Sequence, residues 1–192
     1  MKAREIAEST DVPSIAWKWA RENGFSLAGE GDAAVVFKKG NIALKIYGYD
    51  SDGRVPSPDQ EMILLYVNYC KQHSDNPYLP KFGNVKYIDN DKRLLAVETE
   101  LLQPSTDLSE YLSTYFWDMG FEDDPVATKL AQESLDQISN FMSGNEIEEF
   151  FSTLNNVLRL GGPHGYTQDI NPQNIMMRGK TPVINDPWTL SF

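Results

Sequence analysis

The chain has 192 residues, of which 41% are hydrophobic and 11% aromatic, and it carries a net charge of −11. That supports a packed core in one domain or two lobes, and it argues against wholesale disorder and against direct nucleic-acid binding. No apolar run approaches the ~20 residues that span a bilayer, so no membrane role is expected. The start, Met1-Lys-Ala-Arg-Glu-Ile6, has no secretory apolar core, and the single cysteine, Cys70, cannot form an internal disulfide, which fits a reducing cytoplasm.

Asp11 or Ser14 is placed to cap a first helix carrying Ile15, Trp17, Trp19 and Ala20, which Asn23-Gly24 stops. Residues 6–24 also resemble a short helix-turn-helix, but no basic recognition helix accompanies them. The apolar runs 33–37 and 42–47, joined by Lys38-Lys-Gly-Asn41, read as a hairpin. After Pro56-Ser-Pro58, with Asp59 near its start, a helix presents Met62, Leu65 and Tyr66; Cys70 lies on it as a packed thiol. Two further strands, 83–88 and 93–98, flank the turn Asp89-Asn-Asp91; beyond the first helix, the N-terminal half is expected to hold five short strands, these four among them, and one helix.

From Gln103-Pro104 the signal turns helical. Leu108, Tyr111, Leu112 and Tyr115 share one face, Asp124-Pro125 opens a second helix, and a third runs from about Glu146 to Leu160 before Gly161-Gly-Pro163. The tail returns to strands at 174–178 and 182–185 around Gly179-Lys180.

Taken singly, the polar motifs are ordinary: Gly29-Glu-Gly31 is a turn, Lys45 a surface lysine, Glu61 a solvated helix carboxylate. Their order carries more. Gly29-x-Gly31-x-x-Ala34-x-Val36 is a glycine loop with Ala in the third place, where the missing side chains let backbone amides approach phosphates. Ile42-Ala-Leu-Lys45 stands one strand later, with Glu61 sixteen residues on as a partner for Lys45. Asp169 and Asn174 follow five residues apart, and Asp186-Pro-Trp comes twelve residues after Asn174, so a short hairpin can bring all three together.

This ensemble resembles the protein-kinase superfamily. The wording from Asp169 to Pro187 is most similar to the serine/threonine kinase that short-tailed, podovirus-type bacteriophages make early in infection, as is Asn23-Gly-Phe25 before the glycine loop. The resemblance implies an α+β, two-lobed kinase-like fold, with a β-rich N-lobe in residues 1–102 and a reduced, mostly helical C-lobe in 103–192. It implies ATP and Mg²⁺ as cofactors and transfer of the γ-phosphate to Ser or Thr of host proteins in the bacterial cytoplasm. Gly29, Gly31, Ala34 and Val36 would cover the nucleotide, Lys45 would contact phosphates and Glu61 would hold Lys45. Asp169 would orient the hydroxyl, and Asn174 and Asp186 would bind metal.

Several features depart from that pattern. Thr167-Gln168 replaces the His-Arg that usually precedes the catalytic Asp, which removes the usual dock for a phosphorylated activation loop. His164 lies five residues before Asp169 and reads as structural. Asp186-Pro-Trp replaces Asp-Phe-Gly: Pro187 restrains Asp186, and Trp188 is expected to pack beneath the site. Six residues follow Asp186 in this sequence, so neither an activation segment nor peptide-binding helices are expected within it. Two alternatives therefore stay open: a pseudokinase-like acidic protein that occupies a basic host factor, and a small-molecule phosphotransferase. The sequence does not fix the oligomeric state.

Overall fold

The computed structural model describes residues 12–30, 34–48, 60–89, 94–104, 106–118 and 124–190. Asp11 and the residues before it, Gly31, Pro56-Ser-Pro58 with Asp59, the turn residues 90–93 and the acidic segment 119–123 lie outside these. The architecture is α+β. In chain order it runs α1 (Val12–Glu22), β1 (Ser26–Glu30), β2 (Ala34–Lys39), β3 (Ile42–Tyr47), α2 (Gln60–Gln72), β4 (Phe82–Tyr87), β5 (Leu95–Glu100), α3 (Asp107–Asp118), α4 (Pro125–Ile138), α5 (Gly144–Gly161), β6 (Tyr166–Gln168), β7 (Ile175–Arg178), β8 (Thr181–Ile184) and β9 (Trp188–Leu190). Two compact units result: Met1–Ile63 with Phe82–Leu101, and Leu64–Lys81 with Leu102–Phe192. The boundary between them falls inside α2.

The first unit is a five-stranded antiparallel sheet in the order β1-β2-β3-β5-β4. Gly40, at φ 57°, supplies the left-handed residue that the β2–β3 turn needs. Alternation puts Val35 and Phe37 of β2, Leu44 and Ile46 of β3 and Ala96 of β5 in one buried cluster with Ala16 and Ala20 of α1. Two alanines one turn apart let the helix lie close on the sheet, and Trp17 meets Phe37 edge-on at 5.3 Å. Each large side chain so buried contributes roughly 1.5–3 kcal/mol over leaving it exposed. Ser14 is not the cap of α1. The helix already includes it, because Pro13 is tolerated in a first turn whose N–H groups have no helical partner. Gly24, at φ 79°, ends the helix, its N–H bonded to Arg21 O at 2.9 Å.

The second unit is mostly helical. Asp124 caps α4, its carboxylate accepting from Val126 N at 2.8 Å with Pro125 next in line. At the start of α5, Ser143 and Glu146 form a reciprocal capping box, and the bonds from the Ser143 backbone and hydroxyl hold the Glu146 carboxyl below its usual range. The helix runs a little beyond both expected ends, into a single 3-10 turn (Gly162–His164) closed by Gly165 at φ 75°. Leu108, Leu112, Ile138, Phe150 and Leu154 from the three helices meet Ile170, Ile175, Met177 and Ile184 in one core. The hairpin β7–β8 was anticipated, whereas the pairing of β6 with β9 was not. Among the described residues no helix is long and apolar enough to cross a membrane.

Candidate active site

Asp169 leaves β6 and enters a tight loop that its own neighbours hold. The Asn174 side-chain amide donates to Asp169 O at 2.8 Å and to Asp169 Oδ2 at 2.9 Å. Both partners only accept, so the orientation of the amide is fixed, and Oδ1 is the Asn174 atom left to serve a cation. Asn171 donates to the other Asp169 oxygen, Oδ1, at 3.0 Å. From beneath, Ser113 Oγ of α3 donates to Ile170 O at 3.1 Å, and Trp117 Nε1 donates to the same carbonyl. A helix thus anchors the backbone one residue beyond the carboxylate.

Two ladder bonds bring Asp186 to this loop. Asp169 N donates to Pro187 O at 2.9 Å, continuing the β6–β9 pairing, and Asn185 N donates to Asn174 O at 2.8 Å. Asn185 Nδ2 reaches Asp186 Oδ2 at 3.1 Å. The strand before Asp186 is held in turn: Ile184 N donates to Tyr78 O at 2.9 Å, and the buried Tyr66 hydroxyl of α2 donates to Ile184 O. Burial, then the adjacent Cys70 thiol, then the Asp186 charge push the Tyr66 hydroxyl well above its ordinary pKa, so it stays a neutral donor. Trp188 is buried, edge-on to Tyr66 at 5.5 Å and tilted against Tyr166 at 5.9 Å.

The oxygens of Asn174 and Asp186 are the hard donors Mg²⁺ prefers. That ion is commonly bound through one or two carboxylates, with water and phosphate completing its shell. No group of three His, Cys, Asp or Glu side chains able to hold a metal occurs among the described residues.

In the first unit, register places the expected nucleotide residues on one line. Gly29 of β1 pairs with Val36 of β2, Val36 with Lys45 of β3, and Lys45 with Val97 of β5. Directly opposed residues of an antiparallel pair share a face, so Lys45 and Val36 lie opposite the face that α1 covers, and Ala34, two residues before Val36, shares their side. Among the described residues, a Cβ built on Gly29 meets nothing within 4 Å. Gly31 lies outside the described residues. Glu61 is exposed in the first turn of α2.

The structure also places the other singled-out residues. His164 is exposed and stacked on Tyr166 at 5.6 Å. Cys70 is buried beside Tyr66, and burial pushes its thiol up to about 12. Sequence alone assigned Asn171 and Asn185 no role at the site and placed Tyr66 only on the apolar face of its helix. Of these only Asn171 carried a local signal, the Asn-Pro turn dipeptide.

No family model matches the chain, and no curated protein matches it. Solved structures similar to it include a crystallised kinase domain, at 15% identity over 81% of this chain and 40% of that one, with a TM-score of 0.37. The chain thus spans two fifths of that protein's length. Also similar is APH(2″)-IIia in complex with GDP and kanamycin, at 12% identity over 88% of this chain and 68% of that one, with a TM-score of 0.41. The streptomycin–ATP ternary complex of APH(2″)-IIa matches at 9% identity over 95% and 75%, with a TM-score of 0.33.

Proposed function

We propose that the protein is an ATP- and Mg²⁺-dependent phosphotransferase of the protein-kinase type, acting on Ser or Thr hydroxyls of bacterial host proteins in the host cytoplasm during phage infection. The observation that supports this best is the bonded array in the second unit. One amide, that of Asn174, fixes the Asp169 carboxylate while keeping its own oxygen for a cation, and the backbone of the same residue is tied to Asn185, beside Asp186.

In this reading Asp169 accepts the hydrogen bond of the acceptor hydroxyl and aims it at the γ-phosphorus. Asn174 and Asp186 hold Mg²⁺, which supplies charge neutralisation at the phosphate oxygens. Lys45, held by Glu61, meets the α- and β-phosphates, and Gly29, Gly31, Ala34 and Val36 cover the nucleotide. Such catalysis is positioning and charge stabilisation, to which each of these side chains is suited.

The test is incubation with γ-labelled ATP and Mg²⁺, alone, with bacterial lysate, and with an aminoglycoside as a small acceptor. Label on the protein or on host bands is expected, with Asp169→Ala abolishing it while melting at the wild-type temperature. Undiminished transfer by Asp169→Ala removes the assignment. Label appearing only on the small acceptor replaces the protein substrate by a small molecule. Calorimetry that finds no nucleotide binding with Mg²⁺ or Mn²⁺ leaves the acidic binding-protein reading in its place.

A further inference from the structure

Asn171 bonds in two directions. Its Oδ1 accepts from Gln173 N at 2.9 Å and from Asn174 N at 3.1 Å, closing the turn between Asp169 and Asn174. Backbone N–H groups can only donate, so Oδ1 must face them, and Nδ2 is thereby aimed at Asp169 Oδ1, 3.0 Å away. The other carboxylate oxygen, Oδ2, is held by Asn174. Each oxygen of Asp169 therefore has its own amide donor, and the two donors stand at opposite ends of one four-residue turn, Asn171 to Asn174.

We infer that Asn171 is a positioning residue for phosphoryl transfer: its amide fixes the rotation of the Asp169 carboxylate, so that the remaining lone pairs face the acceptor hydroxyl. The inference rests on the phosphotransferase reading of the same site. A carboxylate is a broad, two-fold rotor. One bond, to Asn174, leaves it free to swing about that contact, while a second bond at the other oxygen removes the swing. A reacting group misplaced by about an ångström can cost on the order of a hundredfold in rate, so that rotation matters even though Asn171 touches neither substrate nor metal in this scheme. The competing role is that of a turn-former alone, since Asn side chains close such turns routinely.

Two substitutions separate the roles. Asn171→Asp keeps the size and the oxygen that accepts from Gln173 and Asn174, but it replaces the donor to Asp169 with an oxygen that repels it. Asn171→Ala removes both functions. For Asn171→Asp we expect a cooperative melt lowered only by that repulsion, a KM for ATP close to wild type and a kcat reduced roughly 10- to 100-fold. A turn-former alone predicts wild-type kcat for Asn171→Asp and a defect only in Asn171→Ala, and that result overturns the inference. Crystal structures of wild type and Asn171→Asp read the same point without turnover. The Asp169 carboxylate is expected to leave its rotamer in the variant, and a carboxylate that stays in place overturns the positioning role. If the wild type transfers no phosphate to any acceptor, the phosphotransferase reading fails, and the crystallographic pair still decides whether Asn171 sets the carboxylate.

Discussion

A Cβ placed on Gly161 would stand 2.8 Å from Cε2 and Nε1 of the Trp188 indole, closer than packed side chains tolerate. Alanine is favoured over glycine within a helix by about 1 kcal/mol, whereas forcing a methyl into a filled site costs about 1–3 kcal/mol. Because the indole is itself buried, with its Nε1 lacking a hydrogen-bond partner among the described residues, it has little room to retreat. Gly161→Ala is therefore expected to lower stability in urea denaturation, and a variant more stable than wild type would show that the ring moves freely. Cys70 gives a second test at this scale. With its pKa raised from 9.0 to about 12, chiefly by burial, the thiol should resist disulfide reagents in the native protein at pH 8 and react once urea unfolds it. A raised folded-state pKa means stability that is complete below the unfolded value of 9.0 and is lost as pH climbs through the folded one. The buried Tyr66 hydroxyl shifts in the same direction. Unfolding free energy should accordingly fall between about pH 9 and 12, and a flat alkaline profile would contradict the burial of this pair.

Among the elements, α5 depends most visibly on its cap. Ser143 Oγ accepts from Glu146 N while the Glu146 carboxylate accepts from Ser143 N at 2.7 Å, so Ser143→Ala should cost about 1 kcal/mol, within the range for lost N-caps. Thermal melts against wild type measure it, and an unchanged midpoint would mean the helix start is held by packing alone. The cap of α4 was legible as Asp124-Pro125, and the helices and the β2–β3 hairpin were legible from period and turn residues. Strand β3 spans the expected 42–47, whereas the ends of β2, β4 and β5 fell one or two residues from where the apolar runs put them, because the pairing partner, not the strand itself, decides where a ladder stops. Strands β6 and β9 span three residues each, too short to show a period, and their ladder exists only because distant segments meet. The same limit applies to the site. Asp169, Asn174 and Asp186 could be chosen by spacing, but the bond from Asn171 to the carboxylate follows from the curl of the loop, which residue spacing does not encode.

At the scale of the molecule, a nucleotide that binds only the folded chain must stabilise it. At one hundred times its dissociation constant the gain is about 2.7 kcal/mol. If the proposed function holds, Mg·ATP raises the melting temperature in a scanning assay, and Asp186→Asn reduces the shift because it removes a carboxylate proposed to hold the ion. A wild-type curve that ignores Mg·ATP would count against nucleotide binding altogether. The division into units has a different consequence. The chain passes between them at residues 63/64, 81/82 and 101/102, the first time within a helix, after its first turn. Tyr78 and Leu79, which lie before the last sheet strands in sequence, serve the second unit: Tyr78 O takes the N–H of Ile184, and Leu79 O with Pro77 O takes the guanidinium of Arg178 at 2.9 and 2.7 Å. For genetic dissection, no single cut yields both units intact. A fragment begun at Leu102 would leave Arg178 and the strand leading to Asp186 without those acceptors, so the second unit calls for a permuted gene that carries residues 64–81 with it, rather than a truncated one.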